Sequence, residues 1–366
     1  MAGALRVLHT ESSTGWGGQE NRTLNELIGM RERGHEMAVV SRPGARILDR
    51  AKEAGFETFA VDMRGALDFP ALFKLRRLMR EFRADIVNTH SGRDTQLAGM
   101  AARSMGRQRP LIVRTRHLAL PITSKISYSV LPDQVVTVSR FVGEYLVAAG
   151  VPRTQITVVP TGIDVVRYSS HEPGRLREEL GLGAEAVLVG TVAILRKKKG
   201  HIEIIEAARR VIERFPNTHF VFAGDGPQAD NLRRRIGELG LEGRVHLLGL
   251  RRDVINILKS LDLFVLPTYQ EALGTAFIEA GATGCPVIGT AVDGVPEVVQ
   301  DGVNGLLVPA KDSAALAEAL LTMLADPARR DAMGRAGAIL MAESFSRAAM
   351  AAGMEKLYLQ LLAVRT

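Results

Sequence analysis

Short apolar runs alternate with helical stretches along nearly the whole chain, and this alternation, begun twice, leaves few folds open. In the first half the strand-like runs are 6–10, 37–41, 58–61, 86–89, 111–115, 135–138 and 156–159. Helical stretches are read at 21–33, 45–54 and 69–83, and another ends at Gly150. The second half restarts at 186–193 and continues with 219–223, 245–248, 261–266 and 286–289. Its helices are read at 201–215, 313–324, 328–343 and 346–362. Short apolar runs separated by helices predict an α/β fold of parallel sheets with helices on both faces. Two such series in 366 residues predict two domains. The boundaries expected are 1–165 for the first domain, 166–183 for a linker, 184–343 for the second domain and 344–366 for a terminal helix.

Composition excludes several other classes. A single cysteine, Cys285, rules out an intrachain disulfide and a Cys-rich metal site. No apolar run approaches the roughly 20 residues that span a bilayer. The chain enters Leu5-Arg6-Val7-Leu8 without the pattern of a signal peptide, so a cytoplasmic protein is expected. The net charge of +7 is unevenly placed. Residues 1–165 carry 23 Lys and Arg against 16 Asp and Glu, whereas the remainder carries 24 of each. That surplus suggests an anionic partner for the first half: a membrane surface, a nucleic acid or an acidic substrate. A well-solvated basic surface is the plain alternative. The stretch 69–83 concentrates the question. Leu72, Leu75, Met79 and Phe82 share one helical face, while Lys74, Arg76, Arg77, Arg80 and Arg83 crowd the rest. Such a helix packs its apolar face on a sheet and can turn its basic face to anionic headgroups.

Ligands of open α/β sheets bind at the carboxyl ends of strands, so the residues just beyond each run carry the functional reading. After 6–10 comes a loop with Gly17-Gly18, then a helix, a geometry that lets a ligand approach backbone N–H groups. It is not a G-x-G-x-x-G sequence, so a dinucleotide fingerprint is not supported, and a plain turn is the alternative. Trp16, the only tryptophan, either stacks on an acceptor sugar or covers this loop. His90 ends the run 86–89, and His117 follows 111–115. A lone histidine is more often structural; two at equivalent strand ends favour a functional reading, with His117 first. Arg196-Lys197-Lys198-Lys199 after 186–193 forms a candidate diphosphate clamp.

The stretch 269–280 narrows the ligand. Glu271 and Glu279 stand eight apart around Leu273-Gly274-Thr275, with a helix read from about Thr275. Loop N–H groups and the helix dipole favour an anion there. The carboxylates accept from hydroxyls but repel a bare phosphate. A ligand that carries both diphosphate and polyol groups, a nucleotide sugar, satisfies both conditions. Two ordinary solvent-facing acids are the alternative.

Together these segments resemble the GT-B glycosyltransferases, specifically the retaining family-4 type. Glu271-Ala-Leu-Gly-Thr-Ala-Phe-Ile-Glu279 looks like that family's E-x7-E motif. Gly17-Gly18-Gln19-Glu20, Thr89-His90-Ser91, Val138-Ser139-Arg140, Gly224-Asp225-Gly226-Pro227 and Asp293-Gly294-Val295-Pro296-Glu297 also match. In Pro160-Thr161-Gly162-Ile163-Asp164, Thr161 replaces the usual Asn. The family's arginine position before the basic loop holds Ile194 here, and Arg196 follows Leu195 instead.

The resemblance implies two Rossmann-like domains with parallel sheets facing a central cleft, and a terminal helix crossing back to the first. It implies that Glu279 accepts from ribose hydroxyls and Glu271 from the donor sugar. Backbone N–H groups of Leu273, Gly274 and Thr275 would hold the diphosphate, and Arg196 and Lys199 would neutralise it. His117 would lie beside the transferred sugar, Gly18 would approach the reacting centre, and Leu250 and Arg251 would border the base. Trp16, Gly17 and His90 are the acceptor-side candidates. The implied activity is transfer of a hexose from a nucleotide-diphosphate sugar to a lipid-linked or polysaccharide acceptor, without metal or other cofactor. The expected setting is cytoplasmic, peripheral to an anionic membrane surface, with no nucleic-acid partner. A GT-B epimerase or hydrolase and a non-catalytic nucleotide-sugar binder are the alternatives.

Overall fold

Every strand pairing in both sheets is parallel, as expected for strands buried on both faces. The computed structural model describes residues 3–170 and 172–365; His171, inside the stretch read as linker, and residues 1, 2 and 366 lie outside them. The chain divides into two units, one of Met1–Ile163 with Ser346–Thr366 and one of Asp164–Phe345.

Among the described residues the first unit holds seven strands: β1 Arg6–Glu11, β2 Glu36–Ser41, β3 Glu57–Ala60, β4 Ile86–Thr89, β5 Leu111–Arg116, β6 Gln134–Thr137 and β7 Ile156–Val158. Their order is β3-β2-β1-β4-β5-β6-β7. The second unit holds six: β8 Val187–Val192, β9 Thr218–Ala223, β10 Val245–Gly249, β11 Leu263–Leu266, β12 Val287–Thr290 and β13 Gly305–Val308, ordered β10-β9-β8-β11-β12-β13. Both orders reverse direction beside the unit's first strand. That is the doubly wound Rossmann-like arrangement, with its ligand crevice at the reversal.

Strand alternation explains how both faces are covered. Val7, Val39, Ile86 and Val113 point to a core completed by Leu27, Met30, Met354 and Tyr358. Leu8, Val40, Val87 and Ile112 point the other way, onto Leu75, Met79, Leu97 and Ala101. The second unit buries Val189, Phe220, Phe222, Leu263 and Val265 against Ile204, Leu316 and Leu320.

The terminal helix Arg347–Arg365 belongs to the first unit. It enters where Ile163 bridges Ser346 and the Arg347 N–H donates to the Ile163 carbonyl at 2.7 Å. Gly162 is required by this crossing, since a Cβ there would lie 2.4 Å from the Ser346 carbonyl oxygen. The stretch expected as a linker is not a free tether. Leu176 is fully buried, its N–H donates to Ser260 Oγ at 3.0 Å, and Arg177 donates to the Ala186 and Ser260 carbonyls. This segment therefore packs as part of the second unit.

Gly162→Ala should destabilise the protein by about 1–3 kcal/mol, the usual cost of forcing a methyl into a filled space. Gly18→Ala, where a Cβ meets nothing within 4 Å, should leave urea unfolding within about 0.5 kcal/mol of wild type. Equal unfolding midpoints for both variants would contradict the crossing.

Candidate functional site

In the second unit two loops of opposite charge rise side by side from β8 and β11, the strands that flank the reversal. The loop after β8 runs through Arg196 into a 3₁₀ turn, Lys197–Lys199, and then the helix His201–Arg214. Gly200 joins them at φ 72°, and a Cβ there would meet the Pro267 carbonyl oxygen at 2.0 Å. The turn Gly224–Pro227 braces this loop: the Leu195 N–H donates to the Asp225 carbonyl and the Gln228 N–H to the Leu195 carbonyl, each at 3.0 Å.

The loop after β11 is tied to the first one. The Lys198 carbonyl accepts from the Tyr269 N–H at 2.7 Å and from Thr268 Oγ1 at 3.0 Å. Lys199 Nζ donates to Glu271 Oε2, and both side chains are largely shielded from solvent. Asp293 accepts the Glu271 N–H at 2.9 Å, and the Gly294 N–H returns a bond to the Glu271 carbonyl. Gly274, at φ 95°, turns the chain into the helix Thr275–Ala282. The N–H groups that open this helix have no intrahelical acceptor, which leaves an anion-binding end beside Lys199 and Glu271. Leu273 anchors the turn by burying its side chain.

Glu279 lies in that same helix, half-buried, and accepts from the Tyr168 hydroxyl. Burial pushes its carboxyl up to about 7, against the smaller opposing effect of the Tyr168 bond. Tyr168 closes the helix Val165–Tyr168, which lies in the stretch read from sequence as the start of a linker, so it carried no signal.

Other expected donor-side residues are placed differently. Arg196 is exposed and, with Lys197, His201, Gln228, Asn231 and Tyr269, lines a cavity of about 180 Å³. Ile194 stands exposed at the position where the family carries arginine. Leu250 projects into solvent beyond β10. The Arg251 guanidinium is taken by Asp253 at 2.5 Å and Glu179 at 2.9 Å, so only its main chain is open to a base.

In the first unit the reversal lies between β1 and β4, and β5 follows β4. His9, on β1, pairs in register with Asn88. Its Nδ1 lies 2.9 Å from His90 Nε2, and His90 Nδ1 lies 3.1 Å from His117 Nε2. His90 was expected on the acceptor side. Both its ring nitrogens are engaged and it is 3 % exposed, so it is an interior link with no free nitrogen to offer. His117 is the outermost ring of the three, at 8 %.

Asp94 fixes the backbone here, accepting from the His90 N–H at 2.8 Å, the Ser91 N–H at 2.9 Å and Thr10 Oγ1 at 3.1 Å. Glu11, buried close by, accepts from the Ser13 N–H and from Gln19. Burial, and then the Asp94 charge, raise its carboxyl well above the ordinary range. Neither acid was picked out from the sequence, where both pass as loop-edge polar residues.

Gly17 caps the helix Gly18–Glu32, its N–H donating to Glu20 at 2.8 Å. Neither Gly17 nor Gly18 adopts positive φ, and a Cβ at Gly18 would find open space. The fold does not require glycine at Gly18. Trp16 is half-buried against the core with Arg50 5.7 Å from its ring centre, which favours the covering role.

The helix Phe69–Glu81 buries Ala71, Leu75, Leu78 and Met79, capped by Asp68. Lys74, Arg77, Arg80 and Arg83 are exposed, as expected. Arg76 departs from that set: it is half-buried, with Nε shielded from solvent. Leu67, Phe69 and Phe73 stand more than half exposed beside the basic residues, a patch that sequence periodicity passed over. Among the described residues no helix is long and apolar enough to cross a membrane, and no group of three or more His, Cys, Asp or Glu is placed to hold a metal ion.

Comparison with known proteins matches both units to glycosyltransferase profiles. A profile described as "Glycosyltransferase Family 4" matches residues 16–167, and one described as "Glycosyl transferases group 1" matches residues 174–339. The UDP-Gal:alpha-D-GlcNAc-diphosphoundecaprenol alpha-1,3-galactosyltransferase of Escherichia coli is 30% identical over 277 residues, 71% of either chain. The D-inositol 3-phosphate glycosyltransferase of Corynebacterium efficiens is 35% identical over 218 residues, 56% of this chain; the match spans 50% of that protein's length. In structure, HepE of Anabaena, solved in complex with UDP and glucose, superposes with a TM-score of 0.83 at 21% identity, covering 96% of this chain and 99% of that one.

The raised carboxyl of Glu279 has a definite sign in stability. Between about pH 4.5 and 7 the folded state holds a proton that the unfolded state has lost, so stability falls as pH rises through that window. Glu279→Gln should therefore be more stable than wild type at pH 8 by about 1–3 kcal/mol and close to it at about pH 4, below the unfolded value. Urea unfolding at both pH values checks this, and an unchanged difference across the window would count against the buried carboxyl.

Proposed function

The chain belongs to the GT-B glycosyltransferases of the family-4 type, and on that premise we propose that it transfers a hexose from a nucleotide-diphosphate sugar to a hydroxyl of a lipid-linked or polysaccharide acceptor, with retention at the anomeric carbon. The observation that carries this reading is the Lys199–Glu271 pair at the open start of the helix Thr275–Ala282. A cation, a carboxylate and unpartnered N–H groups in one place match the mixed demands of a diphosphate and a polyol.

In this reading the donor diphosphate takes the helix N–H groups and Lys199, which releases Glu271 to accept from hydroxyls of the donor sugar. Glu279 and Tyr168 meet the ribose. Arg196 adds positive charge beside the leaving group. His117 serves the reacting sugar, and Gly18 lets backbone come close to it. The bond from the anomeric carbon to the phosphate oxygen breaks as the bond to the acceptor oxygen forms on the same face. The acceptor proton passes to the departing phosphate oxygen, and a nucleoside diphosphate leaves. Charge on that leaving group is assigned to this chain's cations and N–H groups.

Support for the acceptor class comes from the E. coli relative, whose name specifies a diphosphoundecaprenol-linked sugar. The exposed Leu67, Phe69 and Phe73, beside Lys74, Arg77, Arg80 and Arg83, suit a surface of anionic lipid. A cytoplasmic protein held peripherally at that surface is part of the proposal.

Three measurements test it. In a thermal-shift panel of nucleotide sugars the true donor, at 100 times its dissociation constant, should stabilise the fold by about 2.7 kcal/mol. Lys199→Ala should lower kcat about 10²- to 10³-fold with that donor, and EDTA should leave the wild-type rate unchanged. Release of free sugar or of an epimer, with no transfer to any acceptor, would overturn the transferase assignment. Separately, Arg77, Arg80 and Arg83 changed to Ser should weaken binding to anionic vesicles about 10- to 100-fold, at roughly 1 kcal/mol per basic side chain. Undiminished vesicle binding would reduce this helix to a structural role.

A further inference from the structure

The geometry assigns Glu26, His9 and His90 as positioning residues that lock His117 in one tautomer, with Nε2 protonated and Nδ1 left as an acceptor. This deepens the reading in which His117 serves the reacting sugar, and rests on it only for the catalytic consequence.

The argument starts at the buried end. Glu26, in the helix Gly18–Glu32, is fully buried, as are Arg22, Asn88, Tyr358 and His9. Its Oε2 accepts from Arg22 Nη1 at 2.8 Å. Its Oε1 accepts from the Tyr358 hydroxyl at 2.9 Å and from Asn88 Nδ2 at 3.1 Å. The Asn88 amide is oriented by Thr115 Oγ1, which donates to Asn88 Oδ1 at 2.9 Å. Three donors, one of them a guanidinium, converge on the two Glu26 oxygens.

His9 Nε2 faces that carboxylate, 3.6 Å from Oε1, and has no hydrogen-bond partner among the described residues. At that distance the contact is electrostatic. A lone pair pointed at a buried carboxylate is repelled, whereas an N–H dipole is attracted, so His9 carries its proton on Nε2. Its Nδ1 is then an acceptor, and the proton in the 2.9 Å contact belongs to His90 Nε2. His90 Nδ1 becomes an acceptor in turn, and the proton in the 3.1 Å contact belongs to His117 Nε2. A neutral imidazole holds one proton, so His117 Nδ1 keeps its lone pair. Among the described residues this nitrogen takes no protein partner. Reversing the chain would require every ring to switch and would aim the His9 lone pair at Glu26.

The neutral state that this needs is favoured by burial, which lowers all three imidazoles from their ordinary value. Arg22 opposes protonation of each ring, Arg116 that of His117, and only Glu26 favours it, at His9. The presented group is thus an uncharged acceptor suited to a sugar hydroxyl.

Long-range ¹H–¹⁵N spectra of the full-length protein labelled with ¹⁵N-histidine read the tautomer directly, with His117 assigned from the signals lost in His117→Asn. Wild type should show His117 Nδ1 at the position of a nitrogen without a proton and Nε2 at that of a protonated one. The opposite pattern overturns the proposal, and this readout needs only the assignment variant His117→Asn to fold. Glu26→Gln should give His117 a mixture of tautomers, and Glu26→Asp should restore the single one. A folded Glu26→Gln protein with an unchanged His117 spectrum also overturns the proposal. With the mixture, kcat for transfer should fall about 10- to 100-fold at unchanged KM, the range seen when hydrogen-bond partners that orient a metal-bound histidine are lost. A tautomer change without a change in kcat would leave the lock standing and remove His117 from the chemistry.

Discussion

The reversal of strand order beside β1 and beside β8 is the constraint from which the rest of the molecule follows. Parallel strands need crossovers, and crossovers on both sides of one strand part at its carboxyl end and leave a gap above the sheet. Whatever residues emerge there are held close without blocking each other. In the second unit these are a run of cations after β8 and an acidic loop after β11. In the first they are histidines beside buried acids. One topological rule therefore creates both groups, although their chemistry has nothing in common.

The two units handle charge differently. In the second, Lys199 and Glu271 pair with both side chains largely shielded from solvent, and the bond holds two otherwise mobile side chains together. In the first unit Arg22 and Glu26 have no solvent at all. Removing either would strand a buried charge, a cost of several kcal/mol that the fold avoids only through Tyr358, Asn88 and the Val159 carbonyl. Tyr358 comes from the terminal helix, so the return of the chain completes an electrostatic network as well as a core.

Much of this was legible from the residues. The apolar stretches 111–113 and 263–266 lie in strands because strands buried on both faces are rich in apolar residues, and the helices between them follow from 3.6-residue periodicity. The basic loop and Glu271 were each placed at a strand end, but the bond between Lys199 and Glu271 was not read from the residues. The histidine chain was only half visible. His90 and His117 stood out because each ends a strand, but His9 lies within the β1 run, and Glu26 sits on a helix of mixed polarity. Linking them needs the order β1-β4-β5, which brings together residues 81 and 27 positions apart. In the stretch 166–183, expected as a linker, Ser, Pro, Gly and charge signal turns but do not reveal that Leu176 and Arg177 have partners some 80 residues away.

Glycine positions separate what the fold demands from what a ligand would. At Gly162 and Gly200 a side chain would strike backbone within 2.4 Å, and Gly200 also has positive φ. Packing alone accounts for these two. At Gly18 neither condition holds, since the backbone is helical and a Cβ would meet empty space. A helix interior ordinarily gains about 1 kcal/mol from alanine over glycine. At the first turn the gain is smaller, but nothing in the fold opposes it. Gly65 and Gly243 share both traits with Gly18, so the residue at Gly18 is set by neither packing nor backbone strain.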